Sequence, residues 1–171
     1  IYNPDIYYHN LATGKRNAAA RYSGLNASPA ISPDRSKMAM ILSKNGIPDV
    51  YVKGIQNGKI EQITKTRVEE ATPCWSPDGQ KLCFVSRATG RPRLWVHDFG
   101  SNKSQPLQII GAASSFEPDW SPDGKWIAFT IQRGGSFRIC VCPAEGGKMV
   151  EITEGEDSSW APNSRTLVFR S

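Results

Sequence analysis

Several sets of residues in this sequence are of types that can do chemistry. Asp34, Asp78 and Asp123 each follow a Ser-Pro pair. Brought to one place, three carboxylates would hold a cation. His9 and His97 occupy like positions in similar segments, where Lys53 and Cys142 are their counterparts. Convergent histidines with a cysteine would make a metal site. Trp75, Trp120 and Trp160 recur at one place, with Ile31 as a fourth. An indole stripe could stack a sugar or a base. Cys74, Cys83, Cys140 and Cys142 are an even set, which in a secreted protein can mean two disulfides. The chain has no Gly-x-Ser-x-Gly elbow, no phosphate-cradling glycine loop and no His-Glu-x-x-His. No catalytic residue and no cofactor are expected.

The elements that carry these residues decide among the readings. One motif is written four times: "SPAISPDRSKMAMILS" from Ser28, "TPCWSPDGQKLCFVSR" from Thr72, "EPDWSPDGKWIAFTIQ" from Glu117 and "DSSWAPNSRTLVFRS" from Asp157. The turn prolines Pro33, Pro77, Pro122 and Pro162 recur at intervals of roughly 40–45 residues. In each copy a short strand ends at position 31, 75, 120 or 160, and a Pro-led turn follows. Proline presets the first turn angle, and Gly or Asn tolerates positive φ. An alternating strand comes next, as in Lys81-Leu82-Cys83-Phe84-Val85 and Trp126-Ile127-Ala128-Phe129-Thr130. Third strands read "DVYVKG", "RLWVHD" and "RICVCP"; fourth strands read "EQIT", "PLQI" and "VEIT". Four antiparallel strands per repeat make a propeller blade. The fold class is all-β, a propeller of about four such repeats.

On that frame the chemistry recedes. Asp34, Asp78 and Asp123 cap backbone N–H groups in turns, and the fourth copy makes do with Asn163. Ile31, Trp75, Trp120 and Trp160 are expected to wedge between blades as structural core. Third strands do not line a propeller's channel, so His9 and His97 read as part of a solvated blade face, and no metal is expected. Cys140 and Cys142 stand two apart in one strand and point the same way, a poor geometry for a bridge. Cys74 and Cys83 flank one turn. All four read as free thiols and small filler.

Residues 5–10 read as a third strand with no first or second before it, and 157–171 as a first and second with no third after them. Read as a circle, the sequence adds to four blades near 28–71, 72–116, 117–156 and 157–171 plus 1–27, in one domain of 1–171. The last blade would then be closed by strands from both termini. The alternative is a piece of a longer propeller, whose open blade edges would invite self-association.

The net charge of +5 comes from scattered Lys and Arg. Nucleic-acid binding calls for a clustered basic stripe, and none is present. No apolar run approaches the ~20 residues of a membrane helix, so direct membrane insertion is not expected. The chain opens at Ile1 without a signal-peptide pattern, so any targeting information lies outside it.

"WSPDGQKLCFVSRATGRPRLWVHD" and "WSPDGKWIAFTIQRGGSFRICV" resemble blades of the TolB-type β-propeller of the Tol–Pal cell-envelope system. "DIYYHNLATGKR", "ILSKNGIPDVYV" and the degenerate "WAPNSRTLVF" fit the same family, and the resemblance covers almost the whole chain. It implies a periplasmic, non-catalytic scaffold that binds a protein partner, a Pal-type peptidoglycan-associated lipoprotein. The family has six blades and a preceding α/β domain, which this sequence does not show. Ser-Pro-Asp-Gly also marks the substrate-gating propellers of prolyl oligopeptidase-like serine peptidases, the alternative function. A lectin-like propeller using the repeated tryptophans is a third.

A partner is expected at the channel mouth, just before and at the start of the first strands. The positions there are Asn26, Ala27 and Ser28; Glu70, Ala71 and Thr72; Phe116 and Glu117; and Asp157. Phe116 is an apolar residue in a loop that is otherwise polar, a candidate anchor with a polar rim.

Overall fold

The computed structural model describes residues 4–171. It contains strands and turns, with no helix among the described residues. The strands are β1 (Ile6–His9), β2 (Arg16–Ala20), β3 (Asn26–Ile31), β4 (Lys37–Leu42), β5 (Asp49–Gly54), β6 (Ile60–Gln62), β7 (Glu70–Trp75), β8 (Lys81–Ser86), β9 (Arg93–Asp98) and β10 (Lys103–Pro106). They continue with β11 (Ile109–Ile110), β12 (Phe116–Trp120), β13 (Trp126–Arg133), β14 (Ser136–Pro143), β15 (Gly147–Lys148), β16 (Val150–Glu154), β17 (Glu156–Trp160) and β18 (Leu167–Arg170).

Three four-stranded sheets form: β3-β4-β5-β6, β7-β8-β9-β10 and β12-β13-β14-β16, every pairing antiparallel. These are the first, second and third blades. Successive first strands β3, β7, β12 and β17 lie beside one another, so they form the inner row of the stack. The first strands end at Ile31, Trp75, Trp120 and Trp160, as the motif requires.

The ends stand apart. β1 pairs with β2 and β17 with β18, as two separate two-stranded sheets rather than one blade shared by the termini. Each sheet packs on its neighbours in sequence, and among the described residues the two outer sheets do not pair with each other. Residues 1–3 of the proposed joining segment lie outside the described residues.

The fourth strand of the second blade departs from its expected position at Pro106–Ile109. It runs over Lys103–Pro106, and Ile109–Ile110 leaves to pair in parallel with Gly147–Lys148 of the third blade. Backbone hydrogen bonds account for this. The carbonyls of Gln108 and Ile110 accept from the N–H groups of Gly147 and Met149 at 2.7 and 3.3 Å. A side chain at Gly146, whose φ is 91°, would strike the Gln108 carbonyl at 2.7 Å, so glycine is required at that crossing.

The core lies between the sheets. Met38, Met40, Leu42 and Tyr51 of the first blade pack on Ile6 and Ala20. Ala39, Ile41, Val50 and Val52 pack on Trp75, Leu82 and Phe84 of the second blade. Cys83, Val85 and Leu94 face Trp120, Ile127, Phe129, Cys140 and Cys142 of the third. Strands covered on both faces read as continuous apolar runs, here Met38–Leu42 and Leu82–Val85.

Candidate functional site

The two ends of each first strand are built differently. At the turn end, Ser76 Oγ donates to Asp78 Oδ1 at 2.6 Å and accepts from the Lys81 N–H at 2.8 Å, while Asp78 also accepts from the Gln80 N–H. Ser32–Asp34 and Ser121–Asp123 repeat the arrangement, and Asn163 accepts from the Arg165 and Thr166 N–H groups in the fourth copy. These bonds hold the carboxyls below their ordinary range. Asp34, with hydrogen bonds from Ser32 and Ser36, is held down to about 2. The aspartates therefore serve the turns. Among the described residues no group of three or more His, Cys, Asp and Glu could hold a metal ion.

The tryptophans close the turn end. Trp75 stacks on Phe99 at 5.3 Å, and its indole N–H donates to the Ala30 carbonyl of the preceding blade at 3.0 Å. Trp160 donates to the Asp119 carbonyl of its preceding blade at 3.2 Å and is half-buried. Trp120 is buried but donates within its own blade, to Gly124. Ile31 departs from the expected core role. It is 52% exposed, because the sheet before it is the two-stranded β1–β2, which leaves Ile31 lining an open groove with Pro29 and Ile55.

His97 departs from the expected solvated face. It is buried edge-on to Phe99, with Nδ1 3.0 Å from Ser104 Oγ, and burial lowers its pKa. His9 is exposed on a different sheet. The four cysteines are free. Burial pushes Cys140 to about 11 and Cys142 to about 12, so they stay thiols at neutral pH.

At the opposite end, the one expected to form the mouth, each first strand carries a bulge. The register shifts between Ala27 and Ala30, Ala71 and Cys74, Phe116 and Asp119, and Glu156 and Ser159. In each bulge one non-glycine residue has positive φ: Ser28 at 50°, Thr72 at 43°, Glu117 at 51° and Asp157 at 55°. Such backbone strain persists only where its surroundings enforce it, and it gathers at functional sites. Sequence reasoning chose these positions as the mouth but missed the bulge. A proline follows three of the four, a signal that the backbone there is restricted.

The side chains at the mouth divide into two groups. Asn26 is buried, accepting from the Tyr22 N–H at 2.9 Å and donating to the Tyr22 and Gly24 carbonyls. Glu70 is 2% exposed, and its Oε1 accepts from Thr66 and Ser86 hydroxyls at 2.8 and 3.0 Å. These two side chains point into the protein, not at a partner. Glu117 bridges blades, accepting from Thr130 Oγ1 at 2.8 Å and the Asp157 N–H at 3.1 Å. Ala71 and Asp157 are exposed; Ala27, Ser28, Thr72 and Phe116 are half-buried. Arg170 pairs with Glu156 and with Asp157 at 3.2 Å beside them.

The sequence model for the TolB beta propeller domain matches residues 2–171. A 43-residue stretch is 46% identical to the Tol-Pal system protein TolB of Alcanivorax borkumensis, covering 25% of this chain and 10% of that protein. TolB from Acinetobacter baumannii superposes with a TM-score of 0.87 at 27% identity, over 96% of this chain and 42% of that one. The propeller of the Trilobed protease from Pyrococcus furiosus gives a TM-score of 0.57 at 19% identity, over 86% of this chain and 48% of that one, a likeness of fold alone. The chain thus spans less than two thirds of the length of the TolB proteins it matches. With its blade pattern, sheet order and repeated motif, this chain belongs to the TolB beta propeller domain family.

Proposed function

We propose that this chain is a non-catalytic, protein-binding scaffold of the Tol–Pal system, acting in the periplasm. Its 1–171 span works as one propeller unit, and its partner is a Pal-type lipoprotein that docks at the channel mouth. The observation that carries the reading is the repeated bulge. Four sheets set one strained backbone position at the same place and fill it with Ser28, Thr72, Glu117 and Asp157. A fixed frame with varied side chains is how a scaffold presents a recognition surface. Phe116 supplies the apolar anchor, and Ala27, Ala71 and Asp157 supply the surrounding surface. The peptidase-propeller reading rests on fold likeness alone.

The test is calorimetric titration with the soluble domain of a Pal-type lipoprotein. Micromolar or tighter binding is expected. Phe116→Ala together with Ala71→Glu should weaken it at least about tenfold. Both positions avoid the Glu117 bridge, so the blades stay joined. Failure of the folded chain to bind, or unchanged binding by the variant, would refute this surface.

A further inference from the structure

The first two strands of every repeat share one cross-strand position, and its occupants differ. Ala30 faces Ala39 in the first blade, Asp119 faces Ala128 in the third, and Ser159 faces Val168 in the last sheet. In the second blade Cys74 of β7 faces Cys83 of β8. No other copy sets a cysteine at either place. Cys140 and Cys142 stand in one strand of the next blade, where they face Phe129 and Ile127 rather than a thiol.

The placement of the Cys74–Cys83 pair suits a covalent bond. Directly opposed residues of antiparallel strands hold their Cα atoms about 4.5–5.5 Å apart. That lies inside the ~4.4–6.8 Å that a disulfide spans. Both side chains belong to the cluster between the second and third blades. Burial, and then a hydrogen bond with Cys74, push the Cys83 thiol well above its ordinary range. The two thiols differ in access. Cys74 is half-buried, whereas Cys83 is 0% exposed. A small oxidant can therefore reach the first and not the second.

We propose that Cys74 and Cys83 are a peroxide-sensitive dithiol, in which Cys74 is oxidised and Cys83 resolves it into a cross-strand disulfide. The oxidant is a hydroperoxide, hydrogen peroxide being the simplest. The Cys74 sulfur attacks one peroxide oxygen and the O–O bond breaks. Cys74 becomes a sulfenic acid, and the other oxygen leaves as water. The Cys83 sulfur then displaces the sulfenic hydroxyl. The S–S bond forms, the S–O bond breaks, and the Cys83 proton departs with the hydroxyl as a second water. The two thiols together lose two electrons, and the peroxide takes both. Because the proton leaves with the hydroxyl, no free buried thiolate is needed. The new bond adjoins the register shift between Ala71 and Cys74, so it pins the first hairpin of the second blade at its bulge.

The test is peptide mapping of the folded 171-residue chain after hydrogen peroxide at about pH 8, near the ordinary thiol pKa. Trypsin cuts after Arg67, Lys81, Arg87, Arg138 and Lys148, so Cys74 and Cys83 fall on separate peptides, 68–81 and 82–87, while Cys140 and Cys142 share 139–148. Peroxide should join 68–81 to 82–87 within a monomeric chain, and dithiothreitol should separate them again. Both thiols of 139–148 should stay open to alkylation after unfolding. Cys83→Ala, which sets the alanine of the first and third blades at this place, should leave a Cys74 sulfenic acid that dimedone captures. Circular dichroism establishes that the variant is folded. The joined chain should unfold at least about 5 °C above the reduced one. No joined peptide in the folded chain, a link from 82–87 to 139–148, or Cys74 carried past the sulfenic stage while Cys83 remains a thiol would each overturn the proposal. So would a folded Cys83→Ala chain without the dimedone adduct, or a joined chain that unfolds below the reduced one.

Discussion

The two ends of the first strands solve the same backbone problem in opposite ways. Both hold a residue at positive φ. At the turn end that residue is Gly79 at 70° and Gly124 at 77°, with Arg35 and Ser164 in the degenerate copies. The surrounding Ser-Pro-Asp residues satisfy the turn internally. At the mouth end the position is Ser28, Thr72, Glu117 or Asp157, with no glycine among them. One end repeats its residues along with its geometry. The other repeats only its geometry. The first is therefore an anchor, and the second is a frame on which different side chains can be mounted.

Substitutions can break or sharpen this contrast. The largest effect belongs to the anchor. Trp75→Ala removes the stack on Phe99 and the bond to Ala30, and should lower stability by about 3–5 kcal/mol. Thermal unfolding would read this as a fall of roughly 10 °C. Ile31→Ala, at the like position but exposed, should stay within about 0.5 kcal/mol. Equal losses at the two sites would mean that the tryptophans do not join the blades.

Beside the bulge of the second blade, Glu70 should show its burial in a pH titration. Burial raises the Glu70 carboxyl from 4.5 to about 7, against the opposing pull of its Thr66 and Ser86 hydrogen bonds. The unfolded chain gives up this proton first as pH rises, so the proton favours the folded state. Stability should therefore fall between pH 4.5 and about 7, by as much as about 3 kcal/mol. Denaturant unfolding across that range would measure it, and Glu70→Gln should flatten this part of the profile. A rise in stability over the same window would reverse the assignment.

The smallest effects test the comparison most directly, because they should have opposite signs. Gly79→Ala places a Cβ at ordinary contact from Pro33, 3.7 Å away, so only the positive φ penalises it. A loss of about 1 kcal/mol is expected. Thr72→Gly relieves the same strain and removes a buried hydroxyl that has no partner. A gain of about 1 kcal/mol is expected, measured by the same unfolding experiment. Two losses would show that the threonine at the mouth is needed for folding itself.

Much of the fold was legible because the repeat states it in residues. Pro77-Asp78-Gly79 names its turn, and the first strands end where the tryptophans predict. Three features were hidden for physical reasons. Ile31 sits in register with the tryptophans, but its exposure depends on the sheet beside it, which no local pattern reports. His97 looks solvated by its place on a third strand, yet Phe99 and Ser104 close over it from the same blade's later segments. The mouth bulge has no residue type of its own, since Ser, Thr, Glu and Asp all occupy it. Of the nine mouth positions, the burial of Asn26 and Glu70 could not be read from their polarity, because their bonding partners, Tyr22, Gly24, Thr66 and Ser86, are ordinary loop and strand residues.

The sharing of the first and second blades between two clusters each has a further consequence. Met40 belongs to the joint on one side of its strand and Ile41 to the joint on the other. Leu82 and Cys83 are divided in the same way. An interior blade therefore melts only by opening two joints at once, whereas an outer sheet opens one. Heat should accordingly erode this molecule as it does a stack of coins, from the faces inward, with the middle blade the last to lose its protected amides.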